Sequence, residues 1–397
     1  MTTVSKGLEG VTIAESSLSF VDGQRGKLYY RGYDVPELAA KASFEETAHL
    51  LWYGALPTRP QLDRLRKQLT EQMALPGTVM DMVRMMPHTA LPMEVLRTTV
   101  SALSAFDPLS EDGSDEAVDQ KAIALTAKFP TILAAFHRLR QGKEPVAPDP
   151  DLSLAGNFLY MFNGEKPDER TTRAIDTYLV LLADHGFNAS TFSARQATST
   201  LTDTYSAVTA AIGTLKGPLH GGAPVGVFQM LQEISTPDHA EEWFDQKVAN
   251  RERIMGIGHR VYKVVDPRAT VLREHARELT LSTGNPIWYA ISRKIELLAL
   301  SHPYFQERQL YTNVDYYSVT VHASLGIPVD MMTPLFAMSR VTGWTAHIRE
   351  QLRDNRLIRP RAQYVGPMNA IWLPIDEREE GVIPVVESEV EVDRASG

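Results

Sequence analysis

The chain has 397 residues, 43% hydrophobic and 22% charged, the balance of a folded soluble protein and not of a disordered one. With 40 Lys and Arg against 49 Asp and Glu, the formal charge of −9 argues against nucleic acid or an anionic membrane as partner. It leaves room for small anions held by a few converging arginines. The absence of cysteine excludes disulfide scaffolds, thiolate zinc sites and cysteine nucleophiles.

Residues 1–20 carry Lys6, Glu9 and Glu15 and no long apolar run, so neither a signal nor a transit peptide is expected. No stretch approaches the ~18 apolar residues of a membrane span, and a cytoplasmic protein is the expectation. Residues 11–15, 27–30 and 382–392 read as short strands, and the acidic tail from Asp376 is expected to wrap the surface or a partner subunit. Helical spacing dominates the rest. Residues 38–53 read as one helix, with Ala40, Phe44, Ala48 and Leu51 in register and Gly54 as its stop. Helices over 60–73, 94–105 and 117–139 follow, the last broken at Pro130. The acidic stretch 107–119 has Leu109, Asp112 and Val118 where a calcium loop needs a ligand, a glycine and a closing Glu, so it reads as an inter-helix loop. Residues 168–183 put Ile175, Tyr178, Leu179 and Leu182 on one buried stripe. Residues 205–215 end at Gly217-Pro218, and 334–352 open with proline at the first helical position.

Several motifs fail. Gly256-Ile257-Gly258 is followed by Val261 where a dinucleotide fingerprint needs its third glycine, and Lys216-Gly217 lacks the spacing of a phosphate-binding loop. Neither GxSxG nor HExxH occurs. Oxidoreductase, NTPase, serine hydrolase and zinc protease chemistry lose support.

Chemistry concentrates in four segments. His185-Gly186-Phe187-Asn188 follows the helix that ends near Ala183. Gly217-Pro218-Leu219-His220-Gly221-Gly222 leaves bare backbone around an imidazole, which lets a ligand approach. Gly256-Ile257-Gly258-His259-Arg260-Val261-Tyr262-Lys263 continues to Asp266-Pro267-Arg268. Asn313-Val314-Asp315-Tyr316-Tyr317 sets a carboxylate among aromatics, where burial would raise its pKa and suit it to act as a base. Phe336, Arg340, Gly343 and His347 share a helix face that is mostly apolar or small, so the Arg340 guanidinium must meet an anion in a buried space. Arg359-Pro360-Arg361 offers rigidly presented charge. Each has a plainer reading: core histidines, ordinary turns, Asp315 as a helix cap, Lys263 on the surface, Arg340 in a structural ion pair. Together they suit a small di-acid. No histidine pair has a metal-ligand spacing such as i, i+4 on one helix.

Taken as a set, His185-x-x-Asn188-Ala189-Ser190-Thr191, GPLHGGA, GxGHRVYKxxDPR, NVDYYS, MSRVTGWTAH and RPRAQYVGP resemble the citrate synthase family, in order and spacing over residues 7–367. The resemblance is to the shorter bacterial and archaeal form. It implies a mainly α, two-domain homodimer, with a large domain over 1–220 and 324–397 and a smaller closing domain inserted at 221–323. It implies condensation of acetyl-CoA with oxaloacetate, with no cofactor beyond the coenzyme A thioester substrate. His220 matches the donor to the thioester oxygen, Asp315 the base, and His259 the group polarising the ketone. His185, Arg268, Arg340 and Arg359 match oxaloacetate ligands, Arg359 coming from the neighbouring subunit, and Lys263 a contact to CoA phosphate. Pro224-Val225 departs from the Asn-Glu that usually follows GGA. Two other functions fit the same motifs: 2-methylcitrate synthase acting on propionyl-CoA, and a silent CoA- or di-acid-binding regulator, although the latter should have lost a catalytic group.

Overall fold

In the computed structural model, which describes residues 4–283 and 286–385, the first long helical run divides at Ser43. The Ser43 hydroxyl accepts from the Glu46 N–H (3.3 Å) while the Glu46 carboxylate accepts from the Ser43 N–H (2.7 Å). This reciprocal cap starts a new helix, so Val35–Lys41 and Phe44–Tyr53 replace the single helix expected over 38–53. Arg59–Gln72, Pro92–Leu103, Glu169–Leu182 and Thr204–Lys216 fall where their apolar spacing places them. Asp168 and Asp203 cap the last two by accepting from the N–H groups of Thr171 and Ser206.

Two proline expectations are corrected. Asp115–Leu139 runs unbroken through Pro130, and Val329–Arg353 begins five residues ahead of Pro334, which lies inside it. An interior proline costs about 3 kcal/mol in an isolated helix. Here Phe129, Ile132 and Leu133, like Met331, Met332 and Leu335, are fully buried, and packing outweighs the lost hydrogen bond. The acidic loop stops at Ser114, the N-cap of the Asp115 helix, and its Leu109, Ser110 and Asp112 carbonyls accept from the Lys121 ammonium (2.9, 2.9 and 2.6 Å).

The fold is mainly α. Its one sheet among the described residues is antiparallel, β1 (Ser19–Asp22), β2 (Lys27–Tyr30) and β3 (Tyr33–Asp34), with Ser19 opposite Tyr30 and Asp22 opposite Lys27. Residues 11–15, expected as a strand, form none in it. Of the strand expected over 382–392, only Val385 pairs, bridging to Ala370, and 386–397 lie outside the described residues. No described helix is long and apolar enough to cross a membrane.

The chain forms two units, Glu15–Ile358 and a smaller one of Met1–Ala14 with Arg359–Gly397. In the larger, the Val329–Arg353 helix is buried from Met331 through Ile348 except at Thr333 and packs against the helices that begin at Phe44, Pro92, Asp115, Glu169, Ala189 and Thr204. This central helix carries Arg340. The smaller unit exposes Tyr364, Val365 and Trp372.

Candidate active site

Two histidine loops meet in the larger unit. His185 follows the Glu169–Leu182 helix, and its Nε2 lies 3.2 Å from the Tyr262 hydroxyl. Its ring centroid is 5.7 Å from that of His259. The Val261 and Tyr262 N–H groups both donate to His259 Nδ1 (3.0 and 3.1 Å). A nitrogen that accepts from two amides carries no proton, which assigns the neutral tautomer with its proton on Nε2.

His220 stands beside the Ala189–Thr198 helix. The Ser190 N–H donates to its Nε2 (3.4 Å), the Ser190 hydroxyl lies 2.9 Å from the same atom, and the Trp344 indole donates to that hydroxyl (3.1 Å). Because an amide can only donate, the His220 proton is assigned to Nδ1, with the Ser190 hydroxyl proton shared between Nε2 and Asn188 Oδ1 (2.8 Å). The glycines beside His220 serve packing before ligand approach. A Cβ on Gly221 would stand 2.2 Å from the Leu215 carbonyl oxygen, and one on Gly222 would stand 2.5 Å from that of Pro218.

Asp315 is the second residue of the Val314–Ser324 helix, whose true cap is Asn313, accepting from the Asp315 N–H (3.0 Å). Asp266 pairs with Arg268 through two bonds (3.0 and 2.8 Å) and also accepts from the Val314 N–H (3.2 Å), so one carboxylate ties a cleft arginine to the helix that carries Asp315. Arg340 is 1% exposed and lies 4.6 Å over the Phe336 ring, and its Nε donates to the Leu182 carbonyl (2.7 Å). No carboxylate pairs with it among the described residues.

Burial and neighbouring charge decide the protonation states. Burial pushes the Asp315 carboxyl up to about 6, with Arg268 and Arg340 opposing and Asp266 adding to the rise. Burial, then the arginines, hold His220 and His259 down to about 4 and His185 well below its ordinary value. Arg340 is lowered by burial to about 10, against the pull of Asp184. Near neutral pH the cleft therefore presents one ionised carboxylate, three neutral imidazoles and one desolvated guanidinium that pairs with no carboxylate among the described residues.

A family profile described as "Citrate synthase, C-terminal domain" matches residues 7–361. The citrate synthase of Haloferax volcanii is 48% identical over 380 residues, 94% of this chain and 99% of that protein. The crystal structure of citrate synthase from Pyrobaculum aerophilum superposes with a TM-score of 0.90 at 42% identity, covering 94% of this chain and 95% of that one. The chain belongs to the citrate synthase family. A further structure, the ternary complex of carboxymethyl coenzyme A and oxaloacetate with the Thermoplasma acidophilum citrate synthase, has a TM-score of 0.88 at 36% identity, over 95% of this chain and all of that one. The mainly α fold and the enzyme class expected from the motifs are those of this family.

Of the residues singled out in the sequence, His185 lies within electrostatic reach of Arg268, Arg340 and His259, and Asp315 within reach of Arg268 and Arg340. His220 joins through Arg340 and the Phe336 ring, whose centroid is 6.2 Å away, and Lys263 through His259. Arg359 is exposed and belongs to the smaller unit. Sequence reading named no role for Tyr262, Ser190, Asp266 or Asp184. The last is fully buried, and its acceptance from Ser19 (2.6 Å) and contact with His347 (3.2 Å) mark it as the polar anchor under His185. An aspartate closing an otherwise apolar helix was the available signal. Among the described residues no group of three or more His, Asp or Glu is arranged to hold a metal ion. A cavity of about 440 Å³ lined by Gln72, Leu103, Lys128 and Tyr205, among others, shares no residue with this citrate synthase cleft.

Proposed function

We propose that the chain condenses acetyl-CoA with oxaloacetate in this cleft, using no cofactor, with the thioester as substrate. The observation that carries the reading is the combination of a buried carboxylate raised to about 6 with imidazoles whose outward nitrogens carry the proton while the rings stay neutral. A thioester α-proton is weakly acidic, so its removal needs the developing enolate oxygen to be stabilised at once. His220 Nδ1–H donates to that oxygen as Asp315 takes the proton. The enolate carbon then attacks the ketone carbon of oxaloacetate while His259 Nε2–H donates to the ketone oxygen, where charge develops. Water hydrolyses the resulting citryl thioester and releases CoA. Arg340 and Arg268 take carboxylates of the di-acid, His185 lies beside them, and Lys263 reaches a CoA phosphate.

His259, Arg268 and Asp315 fall within 221–323, whereas His185, His220 and Arg340 fall outside it. That division supports 221–323 as a closing domain that completes the site and excludes water before the thioester can hydrolyse. The oxaloacetate and CoA analogue held by the Thermoplasma acidophilum relative support the same substrates. Release of CoA thiol from acetyl-CoA and oxaloacetate tests the reading, and a silent binding protein would release none. Acetyl-CoA is expected to exceed propionyl-CoA in kcat/KM by at least ~10-fold, the discrimination one methylene allows. The reverse order would make the enzyme a 2-methylcitrate synthase.

The active form in this reading is a homodimer in which Arg359 completes the partner's site. Supporting this, Arg359 is exposed in a unit that also exposes Val365 (88%) and Trp372 (78%), apolar area suited to a second copy. Inactive Arg359→Ala and Asp315→Ala proteins, unfolded and refolded together, are expected to recover about a quarter of wild-type activity. Half the dimers are then mixed, and each has one intact site. Mixtures as inactive as their components would refute an arginine supplied in trans.

A further inference from the structure

The β1–β2 hairpin touches both histidine loops of the cleft. At its base, the Ser19 hydroxyl donates to Asp184 Oδ2 (2.6 Å) and accepts from the Gly186 N–H (2.8 Å), holding the backbone on either side of His185. Tyr30, paired with Ser19 across the strands, donates to the Asp184 carbonyl (2.8 Å) and accepts from the Asp184 N–H (3.2 Å). At its tip, the Gly23 carbonyl accepts from the Lys263 N–H (2.8 Å). A Cβ on Gly23 would stand 2.2 Å from the Val261 carbonyl oxygen and 2.8 Å from its carbon. Gly23 has no left-handed backbone angle, so only this close approach demands glycine there. Val261 is in turn one of the two residues whose amides aim the His259 ring.

We propose that the hairpin is a clamp that sets the spacing of His185 and His259, and that Gly23 and Ser19 are positioning residues for oxaloacetate. The proposal rests on the reading of those histidines as oxaloacetate ligands. One short ribbon holds the His185 loop with its base and the His259 loop with its tip, so in this arrangement of the closing domain the gap between the two rings is set by the length of the hairpin. The hairpin adds to the direct contact between the loops, that of His185 Nε2 with the Tyr262 hydroxyl (3.2 Å). A small displacement of a binding group is felt strongly, because misplacement by about 1 Å costs up to ~10²-fold. Ordinary turn packing would use the same atoms, but its loss would weaken the whole fold without favouring one substrate.

The test compares wild type, Gly23→Ala and Ser19→Ala in the full chain. It measures kcat, KM for each substrate, and the melting temperature with and without oxaloacetate alone. Gly23→Ala is expected to raise the oxaloacetate KM about 10-fold or more while the acetyl-CoA KM stays within about 2-fold. Displacing the Val261 backbone should lower the melting temperature of Gly23→Ala modestly, that of Ser19→Ala should hold, and in both the rise produced by oxaloacetate should shrink, since that rise reports binding. Ser19→Ala should act in the same direction. An oxaloacetate KM within about 2-fold of wild type in either folded variant would overturn the clamp, as would a parallel loss of both KM values with a lowered melting temperature. Should Gly23→Ala fail to fold, Ser19→Ala decides. Wild-type turnover tests the function itself, whereas the ratio of variant to wild type tests only the clamp.

Discussion

An Asp315→Asn enzyme is expected to lose at least ~10³-fold in kcat, near the upper range for removal of a general base, while oxaloacetate still raises its melting temperature. The amide keeps the shape of the side chain and cannot take the methyl proton, and the oxaloacetate ligands are untouched. The same substitution should stabilise the protein at neutral pH. Asp315 is raised from 3.8 to about 6 in the fold, so the folded state holds its proton more tightly than the unfolded chain does. Stability therefore falls as pH rises through that window, by at most about 3 kcal/mol, and the carboxylate destabilises the fold above it. Melting curves should show the Asn variant matching wild type near pH 4 and exceeding it near pH 8. In wild type, kcat/KM should rise with pH to a plateau above about 6, as Asp315 ionises. His220 and His259, both held near 4, add no limb between 5 and 8. Wild-type turnover by the Asn variant would end the assignment of the base.

Arg340→Met should raise the oxaloacetate KM by ~10²–10³-fold, the scale of losing one partner of a buried charge pair. Its guanidinium is 1% exposed, donates to the Leu182 carbonyl (2.7 Å) and pairs with no carboxylate among the described residues. In the proposed reading the free enzyme carries the desolvation of a cation, offset in part by Asp184, that the di-acid would relieve. Melting temperature without ligand should hold or rise in Arg340→Met, whereas a structural arginine would lower it. Arg340→Lys should not restore wild-type KM, because an ammonium cannot engage a carboxylate through two parallel bonds. Steady-state kinetics with oxaloacetate varied, together with thermal melts, check both statements. An unchanged KM would remove Arg340 from the substrate site.

Much of the helical framework was legible. Arg59–Gln72, Pro92–Leu103, Glu169–Leu182 and Thr204–Lys216 announce themselves because apolar residues repeat every three or four positions and caps mark the ends. The break at Ser43 was also legible, in the Ser43/Glu46 capping box, but apolar periodicity ran across it and obscured it. Pro130 and Pro334 misled because local propensity cannot weigh the burial of Phe129 or Met331 against one missing hydrogen bond. The hairpin was half seen: β2 has alternating burial, whereas β1 exists only because Ser19 to Asp22 find Tyr30 to Lys27.

The sequence by itself determined the residue types, their order and the helical periodicity, and those were enough to reveal the family. Tertiary structure alone decided which nitrogen of His220 and of His259 carries the proton, how far Asp315 is raised, and that Asp266 already occupies Arg268 while no carboxylate pairs with Arg340 among the described residues. It also decided that a hairpin near the start of the chain sets the gap between histidines far along it. Periodicity and capping are local, read within a few residues. Desolvation, hydrogen-bond direction and the approach of Gly23 to Val261 depend on atoms brought together from distant parts of the chain, and they exist only once it has folded.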